Sequence, residues 1–104
     1  MNTIALSNTP NQKLSVSIAG RAYTIRTHYA PDGICFVDIY ADWEPLALGV
    51  KAIPNSRLIP YDYQLQGGNF FFVCEDGAYP DWELFGWTHN LVWFDTAEIE
   101  EIGL

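Results

Sequence analysis

Between residues 13 and 40 the chain carries three runs of alternating apolar and polar side chains, separated by two short turn signals. The first, KLSVSIA (13–19), sets Leu14, Val16 and Ile18 against Lys13, Ser15 and Ser17. A period of two belongs to a half-buried strand, and a one-residue slip would turn every apolar side chain to solvent. Gly20-Arg21 and then AYTIRTHY (22–29) follow. A two-residue loop with glycine first predicts a type II′ hairpin. In that register Ala19 faces Ala22, Ile18 faces Tyr23, Val16 faces Ile25 and Leu14 faces Thr27. APDG (30–33) predicts a type I turn closed by Gly33 in a left-handed bulge position. Tyr29 then faces Cys35, Thr27 faces Val37 and Ile25 faces Ile39. Arg26 falls opposite Asp38 on the other face as a cross-strand ion pair. The expected product is a three-stranded antiparallel meander (13–19, 22–29, 34–40). Its apolar face is Leu14, Val16, Ile18, Tyr23, Ile25, Tyr29, Cys35, Val37 and Ile39.

The rest of the chain extends this pattern. TIAL (3–6) can add a strand, ADWEP (41–45) reads as a turn, and LALGVKAI (46–53) reads as a strand ended by Pro54-Asn55. RLIPYDYQLQGG (57–68) is less regular: Pro60 confines any strand there to an edge, and Gly67-Gly68 marks a hinge or tight turn. NFFFVCE (69–75) is a strand apolar on both faces. Phe70, Phe72 and Cys74 point one way, toward the meander; Phe71 and Val73 point to a second layer or a neighbouring subunit, the latter being favoured. ELFG (83–86) suggests a turn of helix, THNLVWFD (88–95) a strand, and TAEIEEIGL (96–104) a strand, short helix or tail. About seven short strands with almost no helical period imply an all-β fold. The expected form is a small antiparallel β-sandwich or partly open β-barrel, with residues 1–104 as a single β domain.

Charge narrows the partners. The net charge is −8, which disfavours nucleic acid. Residues 1–57 hold five cations (Lys13, Arg21, Arg26, Lys51, Arg57) against four acids, net +1; residues 58–104 hold nine acids and no cation. Such an acidic half serves solubility, or docks a basic partner. No run approaches the roughly 18 apolar residues of a membrane span, and MNTIALSNTP lacks the basic and apolar regions of a signal peptide.

Chemistry-bearing constellations are weak. His28, His89, Cys35 and Cys74 are scattered, and the register puts His28 and Cys35 on opposite faces, so no metal site is expected. The cysteines read as buried free thiols. No serine sits in a nucleophile elbow, Gly67-Gly68 is too short to cradle phosphate, and carboxylate pairs such as Asp81/Glu83 are expected among thirteen acids. No catalytic residue and no cofactor is assigned. Aromatics are the surplus, at 15%. Most fill a core. Trp43, Trp82 and Trp87, on or beside loops, are candidate anchors for protein contact, or a stacking platform for sugar rings in a carbohydrate-binding module.

The order of these features resembles a known family. Pro10-Asn11-Gln12, the hairpin Gly20–Arg26, the strand Phe36–Tyr40, the stretch Asp42–Pro54, the Gly-Gly strand Gly67–Val73 and the aromatic ending Tyr79–Phe94 are together similar to the small baseplate plug proteins of contractile-tailed cyanophages and related phages. The resemblance implies a virion component at the hub region of the tail baseplate, made in the host cytoplasm. It would contact other baseplate and tail hub proteins and itself in a symmetric ring, without catalysis. On that reading the candidate contact residues are Trp43, Phe71, Trp82, Trp87, Glu98, Glu100 and Glu101. Gly20, Arg26, Gly33, Asp38, Gly67 and Gly68 are structural. The cation-free C-terminal half departs from the pattern, and it offers a negative surface to a neighbour's positive one.

Overall fold

A computed structural model describes residues 2–59 and 67–103. It forms two antiparallel sheets packed face to face. β2 (Gln12–Ile18), β3 (Arg21–Tyr29), β4 (Cys35–Ala41) and β5 (Glu44–Lys51) make a four-stranded meander in chain order. β1 (Asn2–Ile4), β7 (His89–Asp95) and β6 (Gly68–Cys74) make the second sheet, with β7 central. The result is an open sandwich, not a closed barrel. The alternating residues meet in the gap: Ile18, Tyr23, Ile25, Val37 and Ile39 from the meander pack with Phe70, Phe72, Leu91 and Trp93. Tyr23 meets Phe70 edge-on with centroids 5.2 Å apart.

The first hairpin differs from expectation. Val16 pairs with Tyr23 and Leu14 with Ile25, two residues displaced from the expected register. The turn residues are Ala19 (φ 51°) and Gly20 (φ 78°), so the loop is of the type I′ class with Gly20 second. Glycine second suits this loop class, and Ala19 accepts the left-handed first position. Because the shift is by two, each side chain keeps its face. The second hairpin has the expected register, with Tyr29 opposite Cys35 and Arg26 opposite Asp38. Gly33 (φ 88°) donates its N–H to the Ala30 carbonyl at 2.9 Å.

The exposed edge of β6 is covered by the chain itself. Asn55 donates to the Phe72 carbonyl at 2.8 Å and Leu58 to the Phe70 carbonyl at 3.0 Å. Buried Asn69 continues this ladder with its side chain: Oδ1 accepts from Ile59 N–H at 3.0 Å and Nδ2 donates to the Ile59 carbonyl at 3.1 Å. The stretch Arg57–Ile59 therefore runs along an edge, while Pro60 and the six residues after it lie outside the described residues.

The second apolar face of NFFFVC is covered within the chain. A helix, α1 (Thr96–Ile102), follows β7 directly and lies over the outer side of the smaller sheet. Phe71, 0% exposed, packs there with Val92, Phe94 and Ile99, flanked by Val73. This overturns the expectation that Phe71 meets a neighbouring subunit. The helix forms because Asp95 accepts from Glu98 N–H at 2.8 Å and Glu98 accepts from Asp95 N–H at 3.1 Å, a capping box. Gly103, at φ 83°, ends it.

Candidate functional site

The sandwich has two ends, and each carries an exposed tryptophan. At one end stand the β2–β3 and β4–β5 turns. Asp42 (φ 49°) and Trp43 (φ 72°) form the two-residue β4–β5 loop between Ala41 and Glu44. The loop is pinned to the neighbouring hairpin: Asp42 N–H donates to the Ala22 carbonyl at 2.8 Å, and the Asp42 carboxylate meets Arg21 at 3.2 Å. Trp43 is 79% exposed. A bulky residue at positive φ costs about 1–2 kcal/mol relative to an ordinary backbone. Glycine would fold better at this position, so folding does not explain the tryptophan.

Beside Trp43, the outer face of the meander holds a groove of about 210 Å³ lined by Lys13, Thr24, Arg26, Tyr40 and Trp43. Alternation puts the strand residues Lys13, Thr24, Arg26 and Tyr40 outward because their neighbours Leu14, Ile25 and Ile39 point into the core. Arg26 is only loosely paired with Asp38, at 3.8 Å, and its side chain is 59% exposed. Lys13 has no ion-pair partner among the described residues. Asp38 is held more closely by Gly49 N–H, at 2.6 Å, than by either Arg26 or His28.

The other end is the long β6–β7 connection. A 3-10 turn, Trp82–Leu84, starts where Asp81 accepts from Glu83 N–H at 3.0 Å. Its scaffold is His89, 1% exposed. His89 Nε2 lies 2.9 Å from Asp76 Oδ1, while Nδ1 accepts from Asp81 N–H at 2.9 Å. The accepting Nδ1 requires the proton on Nε2 in the neutral ring. Asp76 in turn is held below the usual carboxylate range by the Ala78 N–H and by His89. Sequence reasoning placed His89 only near a strand end; nothing in its local motif signals that it organises the loop. Asn8 adds Nδ2 contacts to the Trp82 and Phe85 carbonyls at 3.2 and 2.9 Å. Tyr29 donates its hydroxyl to the Pro80 carbonyl at 3.0 Å.

Between this loop and the β3–β4 turn lies an open cleft of about 410 Å³, lined by Tyr29, Asp32, Tyr79, Pro80, Asp81 and Trp82 among others. Its two carboxylates serve the backbone: Asp32 accepts from Ile34 N–H at 3.2 Å and Asp81 caps the 3-10 turn. Trp82 is half-buried against the core, and Trp87 is 78% exposed. Trp43 lies past one end of β4 while Trp82 borders the turn at its other end. Seven strand residues separate those ends by roughly 20 Å. The three tryptophans therefore do not form one stacking platform.

The remaining candidates divide by role. Glu98 is half-buried in the capping box, whereas Glu100 and Glu101 are exposed on α1. Gly67 takes φ 82°. Gly68 is a close-approach position, where a Cβ would overlap the Phe94 carbonyl and the Trp93 ring. Cys35 and Cys74 are buried free thiols, each pushed up to about 11 by burial. Among the described residues no three His, Cys, Asp or Glu side chains gather as metal ligands.

Fold and surface together define a small all-β protein that presents bulky side chains outward on stiff, hydrogen-bonded turns. The family model described as cyanophage baseplate Pam3 plug gp18 matches residues 1–97. The chain belongs to this family, which makes it a structural protein of the phage tail baseplate with other baseplate proteins as neighbours. Comparison with curated proteins gives no match.

Proposed function

We propose that this chain is a single β domain acting as a plug in the hub region of a contractile tail baseplate. It works by shape and adhesion and catalyses no reaction. It is made in the host cytoplasm, folds alone, and then joins further copies of itself and tail hub proteins in a symmetric assembly. The observation that carries this reading is Trp43, an exposed indole kept at positive φ on a loop that Asp42 ties to the next hairpin. An apolar side chain protruding from a pinned backbone is what an interface anchor requires, because the loop has little backbone freedom left to lose on binding. Trp87 gives the opposite end a similar feature. Family membership supports the setting.

The test is co-expression with the hub and spike proteins of the same particle, followed by light scattering after size exclusion. Wild-type chain is expected to co-elute with at least one of them, and Trp43→Ala to lose that co-elution while melting no lower. Tryptophan fluorescence that responds to a panel of sugars, with no co-elution, would replace this reading by that of a carbohydrate-binding module.

A further inference from the structure

We infer that the groove lined by Lys13, Arg26, Tyr40 and Trp43 receives α1 of a second copy, with Glu100 and Glu101 against the cations and Ile102 against the rings. The inference deepens the proposed baseplate role and rests on it. Three observations meet here. The groove is lined by two cations and two aromatic rings and by no carboxylate. α1 is its chemical complement: Glu100 and Glu101 are exposed without an ion-pair partner among the described residues, and the adjoining Ile102 is 55% exposed. The helix has no basic residue in its last turn to satisfy these acids locally.

Placement decides what kind of contact follows. The groove lies on the outer face of the four-stranded sheet, and α1 covers the outer face of the three-stranded sheet. With the core between them, one molecule cannot bring its own helix to its own groove. A pairing of two different faces is head-to-tail, and repetition closes a ring or continues as a stack. Carboxylates opposite lysine and arginine also set the register of such a contact and speed encounter at low salt.

The experiment uses the full chain and charge reversal. Wild type is expected to self-associate in sedimentation velocity, more strongly at low salt. Lys13→Glu with Arg26→Glu, or Glu100→Lys with Glu101→Lys, should each weaken association at least about tenfold. Combining the two pairs should restore it. Trp43→Ala should weaken it without altering its salt dependence. A carbodiimide, which joins amine to carboxylate with no spacer, should link Lys13 to Glu100 or Glu101 only between copies, as read by mass spectrometry of mixed isotope-labelled chains. A wild type that stays monomeric at every concentration, or association indifferent to both reversals, overturns the inference. Co-elution with hub proteins is measured separately, so the helix–groove pairing can fail while the baseplate role survives.

Discussion

Asp38 on β4 accepts the backbone N–H of Gly49 on β5 at 2.6 Å, across a point where the two strands fall out of register. Gly49, at φ 61°, forms the irregularity, and its N–H would otherwise lack a ladder partner. The carboxylate thus substitutes for a backbone carbonyl. It also gathers Arg26 at 3.8 Å and His28 at 3.6 Å. Sequence alternation predicts the pairing of Asp38 with Arg26 but not the bond to Gly49, which depends on the bulge.

The two partners should differ in weight. Asp38→Ala removes a charged acceptor from a backbone donor and is expected to cost about 1.5–3 kcal/mol. Arg26→Ala removes a long, exposed ion pair and should cost roughly 0.3 kcal/mol. Urea unfolding of the two single variants checks the order. Equal losses would mean that the cross-strand ion pair dominates.

Adjacent glycines should also separate. A methyl on Gly68 has to displace the Phe94 backbone and the Trp93 ring, so Gly68→Ala is expected to cost about 3 kcal/mol or more. Gly67 has open space around it and only its φ of +82° to protect, so Gly67→Ala should cost about 1 kcal/mol. Thermal or urea melts of both variants read this difference directly.

Trp43→Gly should stabilise the isolated chain. Relief of the left-handed strain, about 1–2 kcal/mol, exceeds the extra freedom glycine gains when unfolded, about 0.5–1 kcal/mol. A rise of about 0.5–1 kcal/mol in unfolding free energy is expected, together with loss of partner binding. A destabilised variant would show that the indole is needed by the fold.

The helix cap makes a different distinction among the acids. Asp95→Ala should cost about 1 kcal/mol and remove hydrogen-exchange protection from Thr96–Ile102. Glu98→Gln should weaken the same helix. Glu100→Gln and Glu101→Gln should leave stability and protection as they are, because neither touches the cap.

The thiols begin the alkaline dependence, and Tyr23 and Tyr29, also raised by burial, add to it above pH 10. Burial raises Cys35 and Cys74 from the ordinary 9.0 to about 11, so the folded chain holds protons that the unfolded chain releases. Their contribution to stability is complete below pH 9 and declines as pH climbs to about 11. At neutral pH both should resist thiol reagents until the chain unfolds. Replacing both by Ala should flatten the decline between pH 9 and 10, where the tyrosines Tyr23 and Tyr29 do not yet titrate, as followed by unfolding midpoints. Rapid labelling of the folded chain would contradict the burial of these side chains.

The meander was legible in the sequence because its information is local. Alternation of period two decides which side chains face inward, and turn residues set register to within a pair. Even the misplaced first turn left every face correct, since Val16 and Ile25 point inward in either register. The ordered set of short elements carried the family likeness. What no local pattern contained was the fate of Phe71, the work of His89, and the distance between Trp43 and Trp82. Each depends on segments far apart in the chain arriving side by side. A buried ring is made by what packs against it, and only the assembled sandwich supplies that.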